Sequence, residues 1–254
     1  MSALAVGLGR KKSQINFRQV SKPCRASKYD RCSVWSLLAV VTGFDLAPPP
    51  TTWVPPNCKL EVDDALKPWY FSHKMDLVHI RDLFGSFSNE QWGLLYKQAY
   101  NNLAPGGWIE QLETDIVAKS DDSSLPEDSY IGSWDELFYP LFEEMGKPID
   151  TVHHIRSRIE AAGFTNVHEK RYKIPLGDWV RDPVLKEAGR FQKTQVLEGM
   201  EGYSMFTLTR FGKPTPWTPD QVQVYLAKVR QEINTPGLHA YYERKRVWAQ
   251  KPFE

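Results

Sequence analysis

From residue 39 onward, short apolar runs alternate with longer amphipathic stretches, and this alternation constrains the fold more than any other feature. The short runs predict strands at residues 39–46, 59–62, 75–80, 108–112, 164–174 and within 241–250. The longer stretches carry apolar residues at three- and four-residue spacing and predict helices at 89–103, 134–145, 152–162, about 183–199 and 219–233. Alternating strands and helices form βαβ units, so we expect an α/β fold with a mainly parallel sheet flanked by helices.

The first 38 residues break this pattern. Up to Tyr29 the chain has no acidic residue and seven basic ones, namely Arg10, Lys11, Lys12, Arg18, Lys22, Arg25 and Lys28. Such a composition is also found in organelle transit peptides, but the apolar residues show no amphipathic period. We therefore predict a basic N-terminal segment without regular structure over residues 1–38 and one domain over residues 39–254.

Charge and hydropathy argue against two classes of partner. Lys and Arg number 32 against 31 for Asp and Glu, so no net field would draw the protein to nucleic acid or to an anionic membrane. The longest apolar run, residues 34–44, is about half of the roughly 20 residues that a membrane span requires. We expect a cytoplasmic or nuclear protein that binds neither nucleic acid nor membranes.

The cysteines do not suggest a metal site or a disulfide framework. Cys24, Cys32 and Cys58 are odd in number and lack Cys-x-x-Cys spacing. We expect reduced thiols and no bound metal.

Two acidic residues follow consecutive strand candidates. Asp45 lies at the end of the first run and Asp64 comes directly after the second. A nucleotide-like cofactor binds across the carboxyl ends of the strands of an open parallel sheet. Asp45 is therefore placed to accept hydrogen bonds from the hydroxyls of a ribose. Asp64 is placed to accept one from the amine of an adenine, and the backbone N–H of Ala65 lies beside it. Each Asp also has a simpler interpretation, as a helix cap or a turn former.

Longer segments resemble a known family. The strings FDLAPPPTTWVPPNCKLEVDDALKPWYF at 44–71, MDLVHIRDLFGSFSNEQWGLLYKQAYNNLAPGGWIEQLE at 75–113 and AGFTNVHEKRYKIPLGDWVRDP at 162–183 are similar to the LaeA-like S-adenosylmethionine (SAM) methyltransferases of filamentous fungi. The similarity runs from about residue 40 to the C-terminus. It implies a Rossmann-like class I methyltransferase fold, with a seven-stranded-type sheet and an inserted helical lid at residues 134–145, and SAM as the cofactor.

The resemblance also implies a function and roles for residues. The expected activity is methyl transfer to a small-molecule secondary metabolite in fungal natural-product biosynthesis. The alternative is a LaeA-like regulator of secondary metabolism that works through protein partners, with or without cofactor binding, and need not be catalytic. By position, Asp45 matches the ribose-binding acid, Asp64 and Ala65 match the adenine-side loop, and residues 79–81 match the segment that faces the methyl donor and the substrate.

His79 and Arg81 are the candidate catalytic residues. A neutral imidazole is available near pH 7, so His79 can act as a general base if the acceptor is a hydroxyl. The competing interpretation is a packed histidine at a strand end. Arg81 either holds an anionic group of the substrate or pairs with a carboxylate such as Asp82.

One departure from the family concerns the cofactor loop. In this family a strand and a glycine-rich turn precede the ribose acid by about 20 residues, but residues 22–38 contain no glycine. Gly7-Leu8-Gly9 is the only substitute. The absent strand would be the middle one of the sheet, and its loss would leave ladder groups on both neighbours unpaired. We therefore expect the first strand to be missing or substituted, because of either an incorrect or alternatively spliced start or a change to a non-catalytic role.

Overall fold

A seven-stranded mixed sheet forms the centre of the fold. The computed structural model describes residues 3–9, 39–47 and 54–254. In spatial order the strands are β3-β2-β1-β4-β5-β7-β6. Their bounds are β1 Ala3–Gly9, β2 Ala39–Asp45, β3 Cys58–Val62, β4 Met75–Arg81, β5 Leu103–Lys119, β6 Thr165–Pro175 and β7 Tyr241–Gln250. The α/β class and the seven strands implied by the resemblance are confirmed.

Five helices lie in the described part of the chain. They are α1 Asn89–Asn102, α2 Trp134–Glu144, α3 Thr151–Ala161, α4 Pro183–Phe211 and α5 Pro219–Ile233. Two of them begin with a capping box. The side chain of Ser88 or Thr218 accepts a hydrogen bond from the backbone N–H of the glutamine three residues later, and the side chain of that glutamine accepts one from the backbone N–H of the Ser or Thr. These local signals place the starts of α1 and α5 where the sequence predicts them.

The helices pack into two apolar cores. In the first, α1 and α3 cover one face of the sheet, burying Trp92, Leu95, Ile155 and Ile159 against strand residues such as Ile109. In the second, α2, α4 and α5 enclose the ends of β5 and β7; its buried members include Phe138, Leu141, Met200, Leu208, Leu226 and Tyr242. The inserted helix expected at residues 134–145 is thus α2, and it belongs to the second core.

The junction of α1 and β5 differs from the sequence prediction. Pro105-Gly106-Gly107 was expected to separate a helix from a strand starting at residue 108, but β5 begins at Leu103, directly after the helix. Gly106 has a φ of +78°, and a Cβ at Gly107 would lie 2.9 Å from the Ala104 carbonyl oxygen and 3.2 Å from that of Met75. Gly107 therefore lets β5 approach β4 at an irregular point of their register.

The central strand is the main departure from expectation. Ala3–Gly9 lies between β2 and β4 and is antiparallel to both. Only β2–β3 and β4–β5 among the six neighbouring pairs are parallel, so the sheet is mixed rather than mainly parallel. The first strand is thus substituted, and the expectation of no regular structure over residues 1–38 is wrong for Ala3–Gly9; residues 10–38 lie outside the described residues.

The direction of β1 decides where its glycines lie. Ala3 pairs with Arg81 at the end of β4, whereas Gly9 pairs with Ala39 at the start of β2. Since each residue of an antiparallel strand advances the chain by about 3.4 Å, Gly9 lies about 20 Å from the edge at which β2 and β4 end. Gly7-Leu8-Gly9 therefore does not form a cofactor loop at that edge.

Three further observations concern the remaining expectations. No helix among the described residues is long and apolar enough to cross a membrane. Within the same ranges, no group of three His, Cys, Asp or Glu side chains has the proximity needed to hold a metal ion. Cys58 is disulfide-bonded, which corrects the expectation of reduced thiols.

Candidate cofactor and active site

The ends of β2 and β3 bring the two predicted acids to one edge of the sheet. β2 and β3 are parallel, and Asp45, the last residue of β2, pairs with Val62, the last residue of β3. The Asp63 N–H donates to the Asp45 carbonyl oxygen at 3.1 Å. Asp64 follows in the next turn. The sequence prediction that these strand ends are adjacent is therefore met.

Among the described residues, both carboxylates make only local hydrogen bonds. Asp45 Oδ1 accepts from the Ala47 N–H at 3.1 Å, and Asp64 Oδ1 accepts from the Leu66 N–H at 2.9 Å. No ion pair joins either group to another described residue. One oxygen of each carboxylate thus shapes a turn, and the second oxygen bonds to no other residue in the described ranges. The two interpretations of these residues, turn former and ligand acceptor, are compatible.

The loop after β3 is fixed by its carbonyl group at Ala65. The Ala65 carbonyl oxygen accepts from Trp69 Nε1 at 3.0 Å and from Gln98 Nε2 at 2.9 Å. Trp69 packs edge-on against Phe44 of β2, with ring centroids 5.6 Å apart. The backbone beside Asp64 is therefore held against both the sheet and α1.

This edge fits one half of the cofactor implied by the resemblance. Asp45 and Asp64 provide acceptors for ribose hydroxyls and an adenine amine at adjacent strand ends. The methionine half requires a glycine-rich turn at the end of the central strand. At this edge β1 instead begins, at Ala3, and its glycines lie at the opposite edge. The described residues therefore fit the adenosine half and supply no glycine turn for the methionine half.

His79 lies within β4, not after it, and forms part of a buried polar chain. His79 Nδ1 is 3.0 Å from Glu110 Oε1, and Arg246 Nε donates to Glu110 Oε2 at 2.7 Å. The side chains of His79, Glu110 and Arg246 are 16%, 6% and 11% exposed. Burial raises the pKa of Glu110, but His79 and Arg246 outweigh it and hold the pKa below its usual value.

This arrangement has a consequence for proton transfer. Because Glu110 Oε1 lies beside Nδ1, a His79 ring that is neutral would donate its Nδ1–H to Glu110 and carry its lone pair on Nε2. Glu110 thus orients His79 rather than acting as a base itself.

Arg81 is the last residue of β4 and pairs with the residue that follows it. Its Nε donates to Asp82 Oδ2 at 2.9 Å. Asp82 also accepts from Thr114 Oγ1 and from Arg244 Nη2, each at 3.3 Å. Of the two roles considered for Arg81, the structure shows the pairing with Asp82. These contacts hold the backbone of Asp82 at a φ of +49°.

Sequence reasoning missed Glu113, which fastens the loop after β4. Its side chain is fully buried and accepts from the Leu83 N–H at 3.1 Å, the Phe84 N–H at 3.3 Å and Gln111 Nε2 at 2.9 Å. Burial and the nearby Asp82 raise the pKa of Glu113 to about 8. Side chains of a strand alternate between its two faces, so position 113 lies on the same face as the apolar Ile109. This alternation is the sequence signal that predicts burial at position 113.

Comparison with known families decides the assignment of the chain. A family model described as "Methyltransferase domain" matches residues 25–169. The chain belongs to this methyltransferase family. The match covers the ends of β2, β3 and β4, and it leaves out β1 and β7.

Relatives with curated descriptions are fungal. The chain is 35% identical over 214 residues to the methyltransferase pytC of Aspergillus terreus, covering 84% of this chain and 64% of pytC. It is 34% identical over 209 residues to the secondary metabolism regulator LAE1 of Cochliobolus heterostrophus, covering 81% of this chain and 66% of LAE1. The LaeA-like resemblance is thereby confirmed. This methyltransferase chain spans slightly less than two thirds of either relative.

A solved structure is more distantly similar. Phosphoethanolamine N-methyltransferase 2 of Haemonchus contortus, in complex with S-adenosylhomocysteine, is 14% identical, with a TM-score of 0.40, over 77% of this chain and 38% of that one. A similarity this low says nothing about the function of the methyltransferase chain.

Proposed function

We propose that this chain is a SAM-dependent methyltransferase that acts on a small-molecule secondary metabolite of a fungus. The observation that carries the proposal is the pair Asp45, which ends β2, and Asp64, which lies two residues after the end of the adjacent parallel strand β3. Among the described residues both carboxylates make only local turn bonds. The description of pytC as a methyltransferase supports the same activity. A cytoplasmic or nuclear location remains our expectation.

The residues of the chain would divide the work between binding and proton transfer. Asp45 would hold the ribose hydroxyls, and Asp64 with Ala65 the adenine. When bound, SAM supplies a methyl group on a positively charged sulfur, so the protein mainly has to align the acceptor and exclude water. His79 would take the proton of an acceptor hydroxyl at Nε2, with Glu110 holding the ring through Nδ1. Arg81, paired with Asp82, would fix the end of β4 beside this site.

A second candidate function is favoured by the reversed central strand. Because β1 presents no glycine turn at the edge where β2 and β4 end, the described residues offer candidate contacts for the adenosine half of SAM alone. A chain of this kind is compatible with a regulator of secondary metabolism that acts through a protein partner without transferring a methyl group. The similarity to LAE1, described as such a regulator, supports this candidate.

Calorimetric titration of the full chain with SAM and with S-adenosylhomocysteine separates the two candidates. For a methyltransferase we expect micromolar affinity, and Asp45→Ala should weaken it by about 10- to 100-fold, since a hydrogen bond to a charged group contributes about 1.5–3 kcal/mol. Glu61→Ala is the matched control, because Glu61 is an acid of β3 that pairs with Lys59 rather than ending the strand. A folded protein that binds neither compound would contradict the catalytic proposal and favour the regulator.

A further inference from the structure

Two arginines share one carboxylate where β4 ends. Arg81 Nε donates to Asp82 Oδ2 at 2.9 Å, and Arg244 Nη2 lies 3.3 Å from each oxygen of the same carboxylate. Arg244 Nε also donates to Thr114 Oγ1 at 2.9 Å. Among the described residues, neither arginine forms an ion pair with a second acid. Two guanidinium groups with one carboxylate leave one positive charge without a partner at this point.

Other charged groups nearby do not remove this excess. Burial raises the pKa of Glu113 to about 8, so its side chain is mainly uncharged at pH 7. Glu113 also lies on the opposite face of β5 from its neighbour Thr114. Arg246 pairs with Glu110, and Lys170, which is opposite Arg246 on β6, is exposed and pairs with no acid in the described ranges. This face of the sheet is therefore favourable for an anion.

The arginine pair is half-buried and keeps donors that no described residue uses. The side chains of Arg81 and Arg244 are 16% and 14% exposed. Neither Nη1 nor Nη2 of Arg81 bonds to another described residue, and neither is among the described side-chain atoms that are both buried and unpartnered. These two nitrogens form a planar fork whose N–H groups match the two oxygens of a carboxylate. Within the described residues, the fork of Arg81 is thus free to meet a ligand.

Strand register places Arg81 beside the other candidate site residues. Arg81 lies two residues after His79 in β4, so both side chains project from one face of the strand, with their Cα atoms about 7 Å apart. Ala3 of β1 pairs with Arg81, and by the antiparallel register of β1 and β2 it lies opposite Asp45. Two strand spacings, about 10 Å, therefore separate the backbones of Arg81 and Asp45. A ligand held by Arg81 would lie next to both the candidate base and the candidate ribose acid.

We propose that Arg81 and Arg244 bind the carboxylate of the methyl acceptor, and that this acceptor is a hydroxy acid whose hydroxyl faces His79 about one six-membered ring away. The ring spans the separation of about 7 Å between positions 79 and 81 of β4. This inference rests on the proposed function, because it names the substrate class of that site. The carboxylate is a recognition group and is distinct from the oxygen that receives the methyl group.

4-Hydroxybenzoate is a suitable probe, and 4-hydroxybenzamide, which has the same shape without the charge, is its neutral counterpart. In calorimetric titrations of the full chain at pH 7 without SAM, the acid should bind roughly 10-fold more tightly than the amide, since its contacts with the arginines are charge-assisted. Arg244→Gln should remove most of this difference. Arg81→Lys keeps the charge but loses the fork, and it should weaken binding of the acid about fivefold.

Arg190→Gln is the matched control, because Arg190 forms its own exposed ion pair with Asp178 at 2.9 Å; it should leave the affinity for 4-hydroxybenzoate unchanged. Circular dichroism checks the folding of each variant, and the comparison of acid with amide on the wild type needs no variant. Equal affinity for the two probes, no binding of either, or equal binding of the acid by wild type and a folded Arg244→Gln protein would overturn the inference.

A second comparison tests whether the carboxylate belongs to the acceptor or to the cofactor. S-Adenosylhomocysteine has an amino-acid carboxylate, whereas 5′-methylthioadenosine has none, and we expect Arg244→Gln to leave the affinity for both unchanged. If the variant weakens S-adenosylhomocysteine and not 4-hydroxybenzoate, the arginines hold the cofactor and the inference is wrong. 4-Hydroxybenzoate should also bind the Asp45→Ala variant. A wild-type chain that binds 4-hydroxybenzoate but not SAM would therefore contradict the proposed function, and one that binds SAM but not 4-hydroxybenzoate would contradict the acid site.

Discussion

The two halves of the sheet use acidic residues in opposite ways. At the ends of β2 and β3, Asp45 and Asp64 are partly exposed, and within the described residues each carboxylate bonds only to a backbone N–H two residues on. In the half built from β4 and β5, Glu110 and Glu113 are buried, and both bond to groups distant in sequence. A buried charge must be paired, whereas a partly exposed one keeps an oxygen for a ligand. Burial, rather than residue type, therefore separates the acids that hold the fold from those that can bind.

The largest effect expected from this contrast is on stability at Glu110. Glu110→Ala should lower the free energy of unfolding by about 3–5 kcal/mol, because Arg246, only 11% exposed, would lose its partner in the interior. Urea denaturation followed by tryptophan fluorescence measures the change. Glu160→Ala is the control: Glu160 pairs with Arg156 on the surface, where both side chains are nearly half exposed, and the loss should be below about 1 kcal/mol. Equal losses in the two variants would remove the contrast.

A smaller effect is expected at Glu113. Glu113→Ala should destabilise the protein by about 1–3 kcal/mol, because the N–H groups of Leu83 and Phe84 would lose their acceptor. Glu113→Gln should destabilise the protein less. The side-chain amide of Gln111 can flip so that its oxygen accepts from the new glutamine and its N–H donates to the Tyr96 hydroxyl, because a hydroxyl can either donate or accept. The same denaturation experiment compares the variants, and equal losses for Ala and Gln would show that the hydrogen bonds to Leu83 and Phe84 do not account for the effect.

Glu113 should also make stability depend on pH. Its folded-state pKa of about 8 lies above the ordinary value of 4.5, so its contribution is fully present below about pH 4.5 and is lost as pH rises through about 8. Wild-type stability relative to that of Glu113→Gln should therefore fall between pH 5 and pH 9. Denaturation midpoints of both proteins at the two pH values test this. A constant difference would mean that Glu113 titrates at the same pH in the folded and unfolded states.

The smallest effect on stability is expected at Asp64. Asp64→Asn keeps an acceptor for the Leu66 N–H and should change the free energy of unfolding by less than about 0.5 kcal/mol, as surface substitutions usually do. Asp64→Ala removes both the charge and the turn bond, so the two variants separate these roles. If the Asn variant keeps its stability but loses affinity for S-adenosylhomocysteine, the ligand role is supported. A loss of stability in Asp64→Ala with unchanged affinity would leave only the turn.

Local signals in the sequence account for much of the fold. Apolar spacing predicted the start of α1, and α1 and α5 begin where they were predicted, after the capping residues Ser88 and Thr218. Apolar runs predicted β2, β3 and β4 to within about two residues. The end of α4 was predicted near Gly199, yet the helix continues to Phe211. Met200 and Leu208 are fully buried in the second core, and this burial outweighs the cost of about 1 kcal/mol for a helical glycine.

The central strand shows what local patterns cannot provide. A short apolar stretch such as ALAVGLG can form ladder bonds in either direction, because parallel and antiparallel pairing both satisfy the backbone groups. The expected need for a strand between β2 and β4 was correct, while the identity and direction of that strand were not foreseen. The position of Gly7 and Gly9 away from the cofactor edge therefore follows from the direction of β1 and not from their distance in sequence to Asp45.

The sequence by itself determined the alternation of strands and helices, the family resemblance and the position of Asp45 and Asp64 at successive strand ends. Only the tertiary structure decided which acids are buried and what they bind. Glu110 contacts His79 across 31 residues and Arg246 across 136, and Glu113 reaches Leu83 across 30. Periodicity and capping act over a few residues, whereas these partners meet because β4, β5 and β7 are neighbours in one sheet.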